Sequence, residues 1–244
     1  MYIFDLGRLG ELARGLGILV IAALANGSGL AGFAPSEAQA EEYLGEIVLM
    51  ANRFCPRGTI EANGRSLGNN GALNMFNDGN PFVLPDLRDS GSMRWCVVES
   101  GIIPPRGSGS NRSDDRMPGE IVAFVTGYCM EGWEIQTAAT LPYQDSITWC
   151  KALENGYAGD DSHYYLAQMQ LGSGDGCLTS LAVPADGRAF IAMENEKLWT
   201  LLSNAYGGDS RSNGEGSFNV PDLASPAPGM TWCINNGGYY PPHN

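Results

Sequence analysis

Residues 45–67 read GEIVLMANRFCPRGTIEANGRSL, and residues 119–141 read GEIVAFVTGYCMEGWEIQTAATL. The two stretches align without a gap. Gly45/Gly119, Glu46/Glu120, Ile47/Ile121, Val48/Val122, Cys55/Cys129, Gly58/Gly132 and Leu67/Leu141 match. Self-similarity at this length marks a supersecondary unit that buries its apolar face only by packing on its neighbours.

Other stretches recur further along. Leu153/Leu202, Asn155/Asn204, Tyr157/Tyr206, Gly159/Gly208 and Asp160/Asp209 align between residues 145–160 and 194–209. The closing motif Phe82-Val83-Leu84-Pro85-Asp86-Leu87 returns as Phe218-Asn219-Val220-Pro221-Asp222-Leu223. Trp95-Cys96 and Trp232-Cys233 follow, each leading to a Pro-Pro pair. This ordering divides the chain into units at 43–106, 117–176 and 177–242, with a polar Gly/Ser linker at 107–116. The middle unit lacks the closing motif, and Tyr164 to Met169 stands in its place. The third lacks Gly-Glu-Ile but keeps Ala185-Asp186-Gly187-Arg188, matching Ala62-Asn63-Gly64-Arg65.

Ile47 to Met50 and Ile121 to Phe124 are short apolar runs of strand length. Asn63-Gly64 and Asp186-Gly187 are turn dipeptides that tolerate positive φ. Leu198, Leu201, Leu202 and Ala205 follow helical spacing up to Gly207-Gly208, and Ile147, Cys150 and Leu153 predict a shorter helix in the middle unit. The expected class is α+β: small loop-rich repeats of short antiparallel strands with one short helix each. The 33 glycines among 244 residues, about twice the usual share, agree with many turns.

The 6 cysteines are Cys55, Cys96, Cys129, Cys150, Cys177 and Cys233. None forms a CxxC pair, which argues against zinc. An even set in a Gly-rich chain fits disulfides and an oxidising compartment. Sequence alone allows many pairings, and the repeats favour one bridge within each unit. At the N-terminus, Gly15 to Ala25 is apolar, preceded by Arg8 and Arg14 and followed by Ala38-Gln39-Ala40. That is a signal-peptide pattern covering 1–40, too short to span a bilayer, with cleavage near Ala40. The expected location is secreted or cell-surface, periplasmic or extracellular. No other run has membrane-spanning length.

A net charge of −13 disfavours nucleic acid, because phosphate contacts need clustered Lys and Arg. With 2 histidines, a multi-His metal site is disfavoured too, and any triad must use His163. His163 lies beside Asp160 and Asp161, but no nucleophile motif accompanies it. Asp209 to Gly214 resembles a calcium loop and fails at Arg211 and Val220. Asn111-Arg112-Ser113 has the form of a glycosylation acceptor. Five tryptophans could stack on sugars. Trp95 and Trp232 read instead as core residues packed on disulfides, and Tyr239-Tyr240 as the exposed aromatic pair. Asp86 and Asp222 read as turn closers accepting backbone N–H bonds. No catalytic residue, cofactor or metal ligand is assigned.

The ordered set resembles the phage tail collar domain and the related microcystin-dependent protein group over nearly all of 43–242. Its members are Gly45-Glu46-Ile47, Cys-Pro-x-Gly at 55–58, Asn63-Gly64, Tyr206-Gly207-Gly208-Asp209, and Pro85-Asp86 and Pro221-Asp222 before Leu. The resemblance implies a non-enzymatic structural or attachment module, commonly trimeric, that binds a cell-surface glycan or protein receptor. It departs from that family in carrying a signal peptide and in lacking the His-x-His pair through which some tail fibres hold metal. The loops 66–80, 156–163 and 207–217 are the expected binding segments. The alternative is a monomeric secreted carbohydrate-binding module.

Overall fold

Glu46-Ile47-Val48-Leu49-Met50 is buried at every position, with no alternation of exposed residues. A strand buried on both faces reads as a continuous apolar run. In the computed structural model this is β1, and its counterpart β4 (Glu120–Phe124) is buried throughout as well. The structure describes residues 42–69, 71–88, 91–104, 118–130, 132–138, 141–153 and 164–242. All fall within one compact unit, Ala38–Asn244. The expected leader 1–40, linker 107–116, loop 156–163, His163 and Asn111 lie outside the described residues.

The third counterpart is β7 (Gln168–Ser173). Its approach, Tyr165-Leu166-Ala167-Gln168, corresponds to Tyr43-Leu44-Gly45-Glu46. Leu44 N donates to Ile102 O at 2.7 Å, and Leu166 N donates to Tyr239 O at 2.7 Å. Tyr43 N donates to Glu46 Oε2 at 3.1 Å, and Tyr165 N to Gln168 Oε1 at 2.8 Å. Gly45, Gly119 and Ala167 all hold positive φ, at 80°, 89° and 67°. By strand pairing, the third repeat therefore opens near Tyr164, not at Cys177. Residues 164–176 carry its opening strand, β7, rather than a degenerate closing motif of the second.

Each repeat adds two strands to its first. β1 pairs with β3 (Arg94–Val98), which pairs with β2 (Thr59–Glu61). β4 pairs with β6 (Thr148–Ala152), which pairs with β5 (Trp133–Gln136). β7 pairs with β11 (Met230–Asn235), which pairs with β8 (Ala182–Pro184). All these pairings are antiparallel. The three first strands then join in a cycle at equivalent register. Glu46 lies opposite Phe124, Glu120 opposite Gly172, and Gln168 opposite Met50. The repeats thus form one nine-stranded sheet with threefold pseudosymmetry around a shared core.

That core takes the odd-numbered face of the first strands: Ile47 and Leu49, Ile121 and Ala123, Met169 and Leu171. Trp95, Trp149 and Trp232, one from each third strand, join them. The Trp95 and Trp149 rings meet edge-to-face at 6.2 Å, as do Trp149 and Trp232. Neighbouring residues of a strand point to opposite faces. The tryptophans therefore turn to the common core while the adjacent cysteines turn outward. Trp95 belongs to the central cluster and Cys96 to a separate one with Val48, Met50 and Val98, which corrects the expectation that Trp95 packs on its disulfide.

Antiparallel strands predominate, so α+β is too loose a description. The helix expected over Ile147 to Leu153 is β6, where Thr148 and Trp149 suit a pleated surface. In the first repeat Ala72–Asn77 forms a 3-10 helix. The one α-helix among the described residues, α1 (Glu196–Leu202), stops before Ala205 because Ser203 takes φ 48°. Among these residues no helix is long and apolar enough to cross a membrane. Disulfides join Cys55–Cys96, Cys129–Cys150 and Cys177–Cys233, the within-repeat pairing that the repeats favour.

Candidate functional site

The chain between the second and third strands of a repeat carries its individuality. It spans 62–93 in the first repeat and 185–229 in the third, and only 137–147 in the second. In the long versions the two recurrent motifs clasp one another. Gly64 N donates to Pro85 O at 3.1 Å and Leu87 N to Ala62 O at 2.8 Å. In the third repeat, Gly187 N donates to Pro221 O at 3.0 Å and Leu223 N to Ala185 O at 2.8 Å. Glycine is required at the crossing. Gly64 and Gly187 sit at φ +76° and +75°, and an added Cβ would press on the Cβ of Asp86 or Asp222 at 3.2 or 3.1 Å. Pro85, Asp86, Pro221 and Asp222 are therefore found in the clasps, while Gly45 lies in the turn before β1 and Glu46 opens that strand.

The clasp carboxylates are engaged locally. Arg88 Nε and Nη2 donate to Asp86 Oδ1 and Oδ2 at 2.7 and 2.6 Å. Arg188 makes the same fork with Asp186, at 2.8 and 2.6 Å. Hydrogen bonding from Arg88 holds the Asp86 carboxyl below the ordinary carboxylate range. Arg188 brings Asp186 down to about 2. The expectation that Asp86 closes a turn from its own side chain holds in altered form, since Arg88 supplies both the guanidinium and a backbone donor. Asp222 is exposed, and the matching carboxylate in the third repeat is Asp186.

The third clasp is elaborated. β9 (Ala189–Ile191) and β10 (Ser217–Asn219) pair at its root, with α1 between them. Leu198, Leu202, Phe218 and Val220 anchor it in the common core. Tyr206 reaches across to the end of β1, where its hydroxyl donates to Ala51 O at 2.6 Å, and burial pushes its phenol up. The loop 207–217 is closed on itself. Asp209 Oδ1 accepts from Ser217 N at 2.9 Å and Ser217 Oγ at 3.1 Å, which lowers its pKa. Trp199 Nε1 donates to Ser210 Oγ at 2.8 Å, and Asn204 Nδ2 to Ser210 O at 2.9 Å. Asp209 thus spends its carboxylate inside the loop, and no group of three His, Cys, Asp or Glu side chains among the described residues is placed to hold a metal.

Around this loop lie Ile191, Met193 and Tyr240, all more than half exposed, with Arg211, Asn213 and Glu215 at the tip. Tyr240 Oη lies 3.4 Å from Thr200 Oγ1 on α1. Of the candidate sugar platforms, Trp95, Trp149 and Trp232 are buried, Trp133 packs edge-on to Phe124, Trp199 is half-buried against the core, and Tyr240 is exposed. In the first repeat, loop 66–80 is pinned by Asn74, whose Nδ2 donates to Gly68 O at 2.8 Å and whose Oδ1 accepts from Phe82 N at 2.9 Å.

Where the first strands converge on the pseudothreefold axis lies a cavity of about 20 Å³, lined by Glu46, Glu120, Gln168, Gln170 and the three tryptophans. It has room for a water molecule and none for an organic substrate. The third tryptophan-cysteine pair, Trp149-Cys150, escaped the sequence reading although the dipeptide itself was the signal. Comparisons with protein-family models, with curated proteins and with solved structures find no match to this chain.

Proposed function

We propose that this chain is an exported, non-enzymatic attachment protein. In this reading its threefold, disulfide-braced scaffold presents the clasp loops, chiefly 66–80 and 207–217, to a cell-surface glycan or protein receptor. The observation that carries the reading is the third clasp. Its loop is held by its own hydrogen bonds and rooted in the core, while its tip offers polar and charged side chains to solvent and Ile191 and Met193 stand exposed outside it. A pre-organised loop loses little entropy on binding. The resemblance to tail collar modules points the same way. Cleavage near Ala40 and delivery to the envelope or beyond complete the reading, and the within-repeat disulfides suit that compartment.

The chain supplies three first strands that close a cycle of their own, so self-assembly is not needed to finish the sheet. A monomeric carbohydrate-binding module is the second reading, favoured by the exposed Tyr240 beside Thr200 and by Trp199 near Asn204. Replacing 211–215 with a Gly/Ser loop of equal length tests both. Loss of binding to intact cells with an unchanged melting temperature supports attachment through this loop. Loss of saturable binding to a defined oligosaccharide supports the lectin form. Undiminished binding to cells refutes the assignment of this loop.

A further inference from the structure

The even-numbered face of each first strand looks away from the shared core, into an outer layer closed by that repeat's disulfide. The three layers are equivalent by register. Val48 lies opposite Cys96, Val122 opposite Cys150, and Gln170 opposite Cys233. In the first layer Val48, Met50 and Val98 pack by Cys96. In the second, Val122, Phe124 and Met130 pack by Cys150. The third layer replaces these apolar residues. Gln170 stands for valine, Gly172 for Met50 and Phe124, and Asn235 for Val98. Thr179 stands for Met130, since Ala182 N donates to Thr179 O as Trp133 N does to Met130 O.

These polar side chains are deeply buried: Gln170 is 4% exposed, Thr179 7% and Asn235 0%. Gln170 Oε1 and Nε2, Thr179 Oγ1 and Asn235 Oδ1 have no hydrogen-bond partner among the described residues. They are gathered by the fold. Gln170 faces Cys233 across the β7–β11 pair, and Asn235 lies two residues beyond on the same face. Thr179 lies two residues beyond Cys177, which is bonded to Cys233. Glu120 stands opposite Gly172, its Oε2 accepting from the Tyr164 hydroxyl at 2.8 Å. Gln170 also lines the axial cavity.

An unsatisfied buried polar group costs a sizeable share of the marginal stability of a whole domain. Something must therefore complete these four atoms. The amide oxygens need donors, and the amide nitrogen needs an acceptor. A bare metal cation offers no acceptor. An anion offers no donor and would be repelled by Glu120. Water does both, and a buried water takes two to four such partners. We propose that the outer layer of the third repeat is a hydrated site, with ordered water bound among Gln170, Thr179 and Asn235, where the equivalent positions of the other two repeats are apolar.

The full-length oxidised protein tests this by cross-relaxation NMR between water and the Gln170 side-chain amide, and by thermal melting with and without added Na⁺ and Ca²⁺. Long-lived water contacts at Gln170, with melting indifferent to either ion, are expected. The triple variant Gln170→Val, Thr179→Met, Asn235→Val takes its residues from the equivalent positions of the other two repeats. It should lose every water contact and melt at or above the parent temperature, while Gln170→Val alone should melt lower. Absence of bound water at Gln170 overturns the proposal. So does a melting temperature raised by Na⁺ or Ca²⁺ and made insensitive by Gln170→Val, which would make this a cation site. The parent measurements decide the matter even if the triple variant fails to fold.

Discussion

Ala167 shows what one side chain costs in a repeated turn. It occupies φ +67°, where its two counterparts are Gly45 and Gly119. A Cβ in this left-handed region is unfavourable by about 1–2 kcal/mol, part of which glycine returns as chain entropy. Ala167→Gly should therefore raise the melting temperature by about 2–4 °C. Gly45→Ala should lower it further than that, since its Cβ would also press on Phe76 and Thr126 at 3.2 Å. Equal and small effects of both changes would refute the equivalence of the turns. The substitution also explains why the third opening was hard to read. Gly45-Glu46 has become Ala167-Gln168, which keeps the geometry and erases the signature, since Glu46 and Gln168 each still cap the turn with a side-chain oxygen.

Asp186 offers a second test at this scale. Its folded pKa of about 2 lies below the ordinary 3.8, so the unfolded chain binds its proton first as pH falls. The stabilisation from the Arg188 fork is thus complete above about pH 4 and fades as pH drops toward 2. The pair is about half exposed, which limits it to about 0–1 kcal/mol. Carboxyl NMR of Arg188→Gln should find Asp186 titrating closer to the ordinary range, since the backbone N–H of residue 188 still donates to it, with little change in melting at neutral pH. An unshifted Asp186 in the parent protein would refute the fork in solution.

At the scale of elements, β6 marks where sequence periodicity misleads. Ile147, Cys150 and Leu153 recur at helical spacing, yet Thr148, Trp149 and Cys150 form a strand. Over so short a window both periods fit, and the neighbouring disulfide and Trp cluster decide. The apolar runs of β1 and β4, the turns at Gly64 and Gly187, and α1 were legible because local chemistry dictates each. The closure of three first strands into a cycle was not, because it depends on register between distant segments. The clasp likewise joins motifs that sequence shows only as separate recurrences.

The tryptophan trio makes the element argument measurable. Trp149 touches both other rings and donates Nε1 to Pro142 O at 2.8 Å. Trp149→Ala should destabilise by about 3–5 kcal/mol. Trp133→Ala, on the half-buried edge strand β5, should cost clearly less. A smaller loss at Trp149 than at Trp133 in urea unfolding would refute a shared core centred on the third strands.

For the whole molecule, each disulfide closes a loop inside one repeat, with separations of 41, 21 and 56 residues, and none ties one repeat to another. Loop-closure entropy gives each about 3–4 kcal/mol, comparable together with the whole stability of a domain. Between repeats the described structure holds by the cyclic pairing, the common core and individual bonds such as Tyr206 to Ala51 and Tyr164 to Glu120. A single repeat keeps its bridge but leaves Ile47, Leu49 and Trp95 without the residues that cover them. The fragment 42–104, oxidised at Cys55–Cys96, should therefore be unfolded when dilute, or should recover cooperative unfolding only by associating in threes, as native mass spectrometry and circular dichroism would show. The intact chain, which carries all three copies, should be monomeric and melt in one transition. A fragment that folds as a monomer would mean that each repeat has a sufficient core of its own, and the pseudothreefold axis would then be a packing arrangement rather than the organising centre of the fold.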